Sequence, residues 1–496
     1  MYLPQFHEIE ENNRWWGKGF TEWFSVRNAR SLFEGHKQPK VPLSNNYYNL
    51  LNKEVMQWQA ELMAKYGVDG LCVYHYWFGN GNQLLQKPAE NLLVWDDVSI
   101  PFFFCWANSS WVRSWSKFSS QNKFTWNYAN EPSNKSSDDT GILMEQVYGN
   151  EEEWKRHFEY LLPFFNDERY IKIDNKPVFM IYVPQDITCI VSMIELWREL
   201  AVKNGFNGIF FISNHEDIDS VDAYIDLQPQ TCINNFLVSA NSVKEVKLKV
   251  NFDDIWEMIL KKKYSSRYKT YLTAMPGYDD TPRREHRGWV ITDSTPSKFE
   301  KYFAKLYRKS QAMDNEFIFI NAWNEWGEGM YLEPDEENGF GYLEAVKNAK
   351  QSVLNENIID NKEIYYNAVE DEQNQNRLLH NRTMKLFDQW LLLHEKGLNC
   401  SKKLLDLDIK SIAIYGYGVI GKHLRNELQN SEINVNYVID KNINNNPVDI
   451  EMIHTLEHIK EVDAIIVCVP RGYDDIYKEL RKHYNGVIKH ISEILQ

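Results

Sequence analysis

At 496 residues the chain exceeds one ordinary domain and can bury a large core, so two or three domains are expected. A formal net charge of -15 without a Lys/Arg cluster excludes the usual nucleic-acid binders and disfavours an anionic lipid surface. No run approaches the roughly 18 apolar residues of a transmembrane segment, and MYLPQFHEIEENN lacks the basic-then-apolar pattern of a signal. The six cysteines show no C-x-x-C spacing and three fall in predicted strands, which reads as free thiols in a reducing, cytoplasmic compartment.

Along the chain, apolar runs predict strands at about 1-6, 69-77, 101-107, 177-183, 208-214, 223-228, 270-276 and 316-322. Helical spacing lies between most of them, at 54-67, 151-165, 191-205 and 296-313. Gly205 closes one helix as a C-cap, and Ser294-Thr295-Pro296 opens another with a capping hydroxyl and a proline in the first turn. Eight strands alternating with helices predict an α/β chain whose residues 1-355 form a (β/α)8 TIM barrel with long loops at the carboxyl ends of the strands.

Those loops collect polar and indole side chains, as an enzyme for polar ligands requires, and hydroxyl-rich sugars suit them. Candidate substrate contacts are Gln5, His7, Trp16, His75, Tyr76, Trp77, Trp106, Asn108, His215, Asp279, Trp323, Asn324 and Trp326. The stretch FIFINAWNEWGEGMY (317-331) follows a buried strand with Glu325 and Glu328, whose i, i+3 spacing is compatible with two carboxylates entering one pocket. Glycosidic chemistry uses such a pair: one acid at the leaving oxygen and a second assisting attack at the anomeric carbon. Spacing alone equally allows either glutamate to cap a helix or pair with an arginine. The histidines lie on separate loops without metal-ligand spacing, so no metal is expected.

YLPQFH (2-7), WWGKGFTEW (15-23), YHYWF (74-78), FCWAN (104-108), TPRR (281-284) and NAWNEWGEG (321-329) together resemble the bacterial WbsX-type proteins, glycoside hydrolase family 99-like barrels described as glycosyltransferases of O-antigen or capsule loci. The resemblance covers about residues 1-350. It implies metal-free, cofactor-free retaining cleavage or transfer at internal α-mannoside-like bonds of an oligosaccharide or polysaccharide. Asn324-Glu325-Trp326-Gly327-Glu328-Gly329 matches the family's Asn-Glu-Trp-x-Glu-Gly stretch. By that resemblance Glu325 is the base assisting the sugar's own 2-hydroxyl, and Glu328 is the general acid/base at the glycosidic oxygen. Trp106-Ala107-Asn108-Ser109-Ser110-Trp111 departs from the family's usual Trp-Ala-Asn-Glu-Asn-Trp, and Tyr278-Asp279-Asp280 from Trp-Asp-Asn, which reads as a change of substrate.

Residues 356-405 turn polar and then amphipathic through Leu378, Leu379, Met384, Leu386, Phe387, Trp390, Leu391 and Leu393, predicting a helical connector that docks on a neighbouring domain. In 406-496, IKSIAIYGYGVIGKHLRNEL gives a strand, Gly416-x-Gly418-x-x-Gly421 and a helix, and VNYVID ends in Asp440. This predicts a small Rossmann-like domain in which the glycines approach a phosphate and Asp440 a ribose hydroxyl, with a nucleotide or nucleotide sugar as ligand. Three function classes follow: a retaining hydrolase or transglycosylase of surface-polysaccharide biosynthesis, a nucleotide-sugar-dependent glycosyltransferase, and a glycan-binding protein without turnover.

Overall fold

A computed structural model describes residues 1-112, 141-187, 189-214, 218, 220-237, 248-354, 365, 372-441, 450-470 and 472-495. The chain divides into two compact units, one formed by 1-184, 195-215 and 221-368, the other by 185-194, 216-220 and 369-496.

In the first unit seven strands run parallel and in strict chain order: β1 (Leu71–Gly79), β2 (Phe102–Trp106), β3 (Lys176–Ile181), β4 (Phe210–Ser213), β5 (Ala223–Asp226), β6 (Thr270–Ala274) and β7 (Ile318–Ile320). Parallel strands need crossover connections, and amphipathic helices such as Lys53–Tyr66, Glu151–Asn166 and Pro296–Ala312 supply them. Thr295 accepts from the Lys298 amide, and Asn150 caps its helix through the Glu152 and Glu153 amides. Because both faces of the sheet are covered, β2 and β3 carry nearly continuous apolar runs and every residue of β6 is buried.

The predicted first strand is reduced to a few residues. Tyr2 bridges Val73 in parallel, its amide bonding Cys72 O at 2.8 Å, while on the other side the Trp323 amide donates to Met1 O at 2.8 Å. The opening residues therefore hydrogen-bond both to β1 and to the segment just after β7, which gives the sheet a curled form. All six cysteines are free. Among the described residues no helix is long and apolar enough to cross a membrane.

The second unit holds a five-stranded parallel sheet of β8 (Ser411–Tyr415), β9 (Asn434–Ile439), β10 (Glu451–Ile453), β11 (Ala464–Val467) and β12 (Val487–His490), in the order β10-β9-β8-β11-β12. Strand order reverses beside β8, the position at which doubly wound sheets open a crevice. The helix Glu372–Glu395 brings Leu386, Trp390 and Leu393 into this unit's core, whereas Met384 and Leu391 are exposed. The side chains of Leu378 and Leu379 lie outside the described residues.

Candidate active site

β7 ends at Ile320 and is followed by a hairpin in which Asn324–Glu325 pairs antiparallel with Met330–Tyr331 around the turn Trp326–Glu328. Gly329 turns the chain at φ +62, a left-handed conformation that glycine adopts without strain. Gly327 answers a different need: a Cβ there would stand 2.2 Å from Glu22 Oε1 and 2.7 Å from Arg283 Nε. The turn aims Glu325 and Glu328 into one cavity of about 370 Å³, with Gln5, Trp16, Phe20, Glu22, Tyr74, Tyr76, Trp111, Tyr182, Gln228 and Arg283 among its lining.

Arg283 organises this site. From the short helix Thr281–Arg284, its Nη2 donates to Glu325 Oε1 at 2.8 Å, its Nη1 to Glu328 Oε1 at 2.7 Å, and its Nε to Glu22 Oε1 at 2.8 Å. Of the alternatives open from spacing, pairing with an arginine thus holds for both glutamates, and it holds inside the cavity. Burial pushes the Glu325 carboxyl up to about 8; Arg283 opposes this, while Glu328 and Glu22 reinforce it. Burial disfavours the charge on Arg283, but the three carboxylates outweigh it and raise the guanidinium well above its usual range. The Tyr76 and Tyr182 phenols are likewise raised, chiefly by burial and then by nearby carboxylates.

Of the residues singled out from sequence, Gln5, Trp16, Tyr76, Glu325 and Glu328 line the cavity. The others among the described residues do not, each for a visible reason. Strand alternation sends Tyr74 and Tyr76 to the cavity and His75 and Trp77 to the opposite face of β1. There His75 meets His157 nitrogen to nitrogen at 2.8 Å, Trp77 stacks on His157, and burial lowers His75 to about 3. Trp106 packs beside His157 and donates to Trp77 O. Asn108 exchanges two hydrogen bonds with the Val183 backbone, both 2.7 Å, and Asn324 makes the same kind of bridge to Leu3 at 2.8 and 3.0 Å. Asp279 is taken up by His36, Gln38 and Thr281.

Trp323 and Trp326 are buried, outside the lining of the cavity. Both indoles donate to Glu333, at 2.9 and 2.7 Å, and Trp326 stacks on Tyr331 with centroids 3.7 Å apart. His7 is buried, and desolvation holds it near pKa 4, outside the cavity lining. His215 lies outside the described residues. Glu22, Arg283, Glu333, Tyr74 and Tyr182 were missed. Glu22 and Arg283 stand in WWGKGFTEW and TPRR, so the signal available was a charged residue inside each motif. Among the described residues no group of His, Cys, Asp and Glu could hold a metal ion.

In the second unit Gly416 ends β8 at φ +88, and a Cβ on Gly421 would meet Gly416 O at 2.2 Å, so turn and helix pack through bare backbone. Gly418 caps the helix Val419–Leu428 and faces open space. Asp440 Oδ2 accepts the Tyr417 amide at 2.7 Å, which ties the end of β9 to the glycine turn.

The glycosyltransferase WbsX family profile matches residues 1-346. Two curated relatives, both called uncharacterized protein WxcX, from Xanthomonas campestris pv. campestris strains B100 and ATCC 33913, are 29% identical over 362 residues. The match takes in 70% of this chain and 49% of theirs, so the chain spans about half the length of the curated relatives it matches. Among solved structures, a GH99 endo-alpha-mannosidase from Bacteroides thetaiotaomicron aligns with 14% identity, a TM-score of 0.41, and coverage of 71% of this chain and 96% of its own. A glycoside hydrolase-like protein aligns at 13% and 0.37, covering 66% and 90%. With its profile matched through the cavity-bearing unit, the chain belongs to the WbsX glycosyltransferase family.

Proposed function

We propose that the first unit is a closed (β/α)8 barrel that cleaves or transfers internal α-glycosidic, mannoside-like bonds with retention, using Glu325 and Glu328, in cytoplasmic biosynthesis of a bacterial surface polysaccharide. The observation that carries this reading is that two acids from one turn share Arg283 inside an aromatic-lined cavity. Glu325 takes the proton of the sugar's 2-hydroxyl as that oxygen bonds to the anomeric carbon, and Glu328 protonates the departing glycosidic oxygen. Water or an acceptor hydroxyl then opens the strained ring, returning the proton to O2 and restoring both acids. The nucleophile is the substrate's own oxygen, so the carboxylate spacing of a covalent glycosyl-enzyme is not required. Trp16, Tyr74, Tyr76 and Trp111 offer ring faces and phenols for sugar contacts.

The domain boundaries proposed are 1-355 for the barrel, 356-405 for a helical connector and 406-496 for a Rossmann-like domain, with the turn at Gly416, Gly418 and Gly421 as its nucleotide or nucleotide-sugar site. That site, with the family's glycosyltransferase description, favours a donor-dependent transferase as the second reading. Incubating purified protein with its host's lipid-linked or capsular glycan, with and without nucleotide sugars, separates them. Shortened or rearranged glycan without donor supports the first reading. Extension only with donor moves it to the second, and unchanged glycan under all conditions removes both.

A further inference from the structure

Three carboxylates from two elements divide one guanidinium, each on a different nitrogen: Glu22 from the helix Glu22–Arg27, and Glu325 and Glu328 from the hairpin. Glu22 meets Arg283 across 261 positions of sequence and makes no bond to either acid of the hairpin that would explain its place. The chain accommodates this contact at a cost in side-chain choice, since Gly327, between the two acids, has no room for a Cβ because the Glu22-Arg283 pair fills it. Were all three acids ionised, one cation would face three anions in a site where Glu325 is only 6% exposed. Like charges so confined do not all ionise, and a proton is retained among them.

Tyr76, Tyr182 and Tyr278 are neutral phenols beside the cluster. Asp280, on the Glu328 side, is a fourth acid: burial raises it to about 7 against the pull of Arg284, its partner at 3.1 Å, and it holds its own proton apart from the Arg283 trio. A reaction needing one acid and one base requires a pair holding one proton in total.

We propose that Glu22 is a positioning residue acting through Arg283: it pins the guanidinium behind both acids and draws off part of its charge, so that Glu325 and Glu328 keep one proton between them. Without Glu22 the full cation serves two carboxylates, the pair gives up its proton at lower pH, and the population holding the proton donor falls at neutral pH. As a role in the reaction, this rests on the reading of Glu325 and Glu328 as the catalytic pair; the charge balance itself does not.

The test is therefore read first without substrate. pH-difference infrared spectroscopy of the full chain follows the protonated-carboxyl band that disappears in Glu325→Gln. In Glu22→Gln that band is expected to titrate about one pH unit lower, whereas Glu22→Asp, which keeps the charge, stays with the unmodified protein. An unchanged or raised midpoint in Glu22→Gln overturns the proposal. If Glu22→Gln fails to fold, Glu22→Asp and Arg283→Lys decide: Asp must hold the midpoint, and Lys, whose compact ammonium does not reproduce the guanidinium's spread over three nitrogens, must move it. With a glycan substrate in hand, the alkaline limb of kcat/KM must fall by the same interval in Glu22→Gln, a change that loss of packing alone would not produce. A shifted band in a protein that turns over no glycan keeps the charge balance and removes the enzymatic reading.

Discussion

Glu328 and Glu333 lie close together in sequence and meet opposite surroundings. Glu328 shares one cation with two other acids at the edge of a cavity. Glu333 is 2% exposed and, among the described residues, touches no cation: Gln59 and Trp323 donate to one oxygen at 2.7 and 2.9 Å, Tyr48 and Trp326 to the other at 2.8 and 2.7 Å. Four neutral donors satisfy every demand of that carboxyl and fix both indoles of the hairpin. The first acid is left with reactive capacity and the second with none. An acid is thus left open to a ligand or fully engaged according to who faces it, even within one short segment.

The largest expected effect separates the two sites by activity. Glu325→Gln and Glu328→Gln should each lower glycan turnover by about 10²- to 10⁴-fold, the range of a general acid-base contribution, with little change in thermal unfolding. Glu333→Ala should do the reverse. Four buried donors lose their acceptor, which costs at least about 3 kcal/mol, read as a drop in the denaturant midpoint before any kinetic effect.

The two sites also differ in pH response. Burial raises Glu333 to about 7 against the hydrogen bonds it accepts, so the folded state holds a proton that the unfolded chain has released above the usual carboxylate range. Its contribution to stability is present at acid pH and lost as pH rises through about 7. Glu333→Gln should flatten that decline in unfolding scans between pH 5 and 8. In the cavity the sign falls on activity: the pair proposed as acid and base holds one proton, which rests on Glu325 and passes to Glu328 for the reaction, and it is given up near the value of about 8 carried by Glu325, so kcat/KM should fall above that, tenfold per unit. A rate still rising past pH 9 would place the donor elsewhere. The smallest effect is at Trp16, where Trp16→Ala should raise KM by roughly three- to tenfold through lost sugar contact, with kcat nearly unchanged.

The same contrast explains what was legible in the sequence. The seven strands and their helices were readable because continuous apolar runs and capping residues such as Thr295 act locally. The convergence of Glu325 and Glu328 on one cavity was readable because they occupy one turn at a strand's carboxyl end. Strand parity was not, since a run such as LCVYHYWFG, buried on both faces, does not say that Tyr76 faces the cavity and His75 the helices. The roles of Trp323 and Trp326 were hidden for a related reason. An indole beside a glutamate suggests a sugar platform until Tyr48, Gln59 and Glu333 assemble around its N–H. Arg283 and Glu22 meet only through the tertiary fold, and spacing along the chain carries no trace of it.

The central claim is that Glu325 and Glu328 process a glycosidic bond with retention, and anomeric NMR of the donor-free reaction tests it most directly. The account predicts that the α anomer appears first from an α-linked glycan, with no signal from Glu325→Gln or Glu328→Gln. An inverted first product, or turnover that survives in either variant, would contradict it.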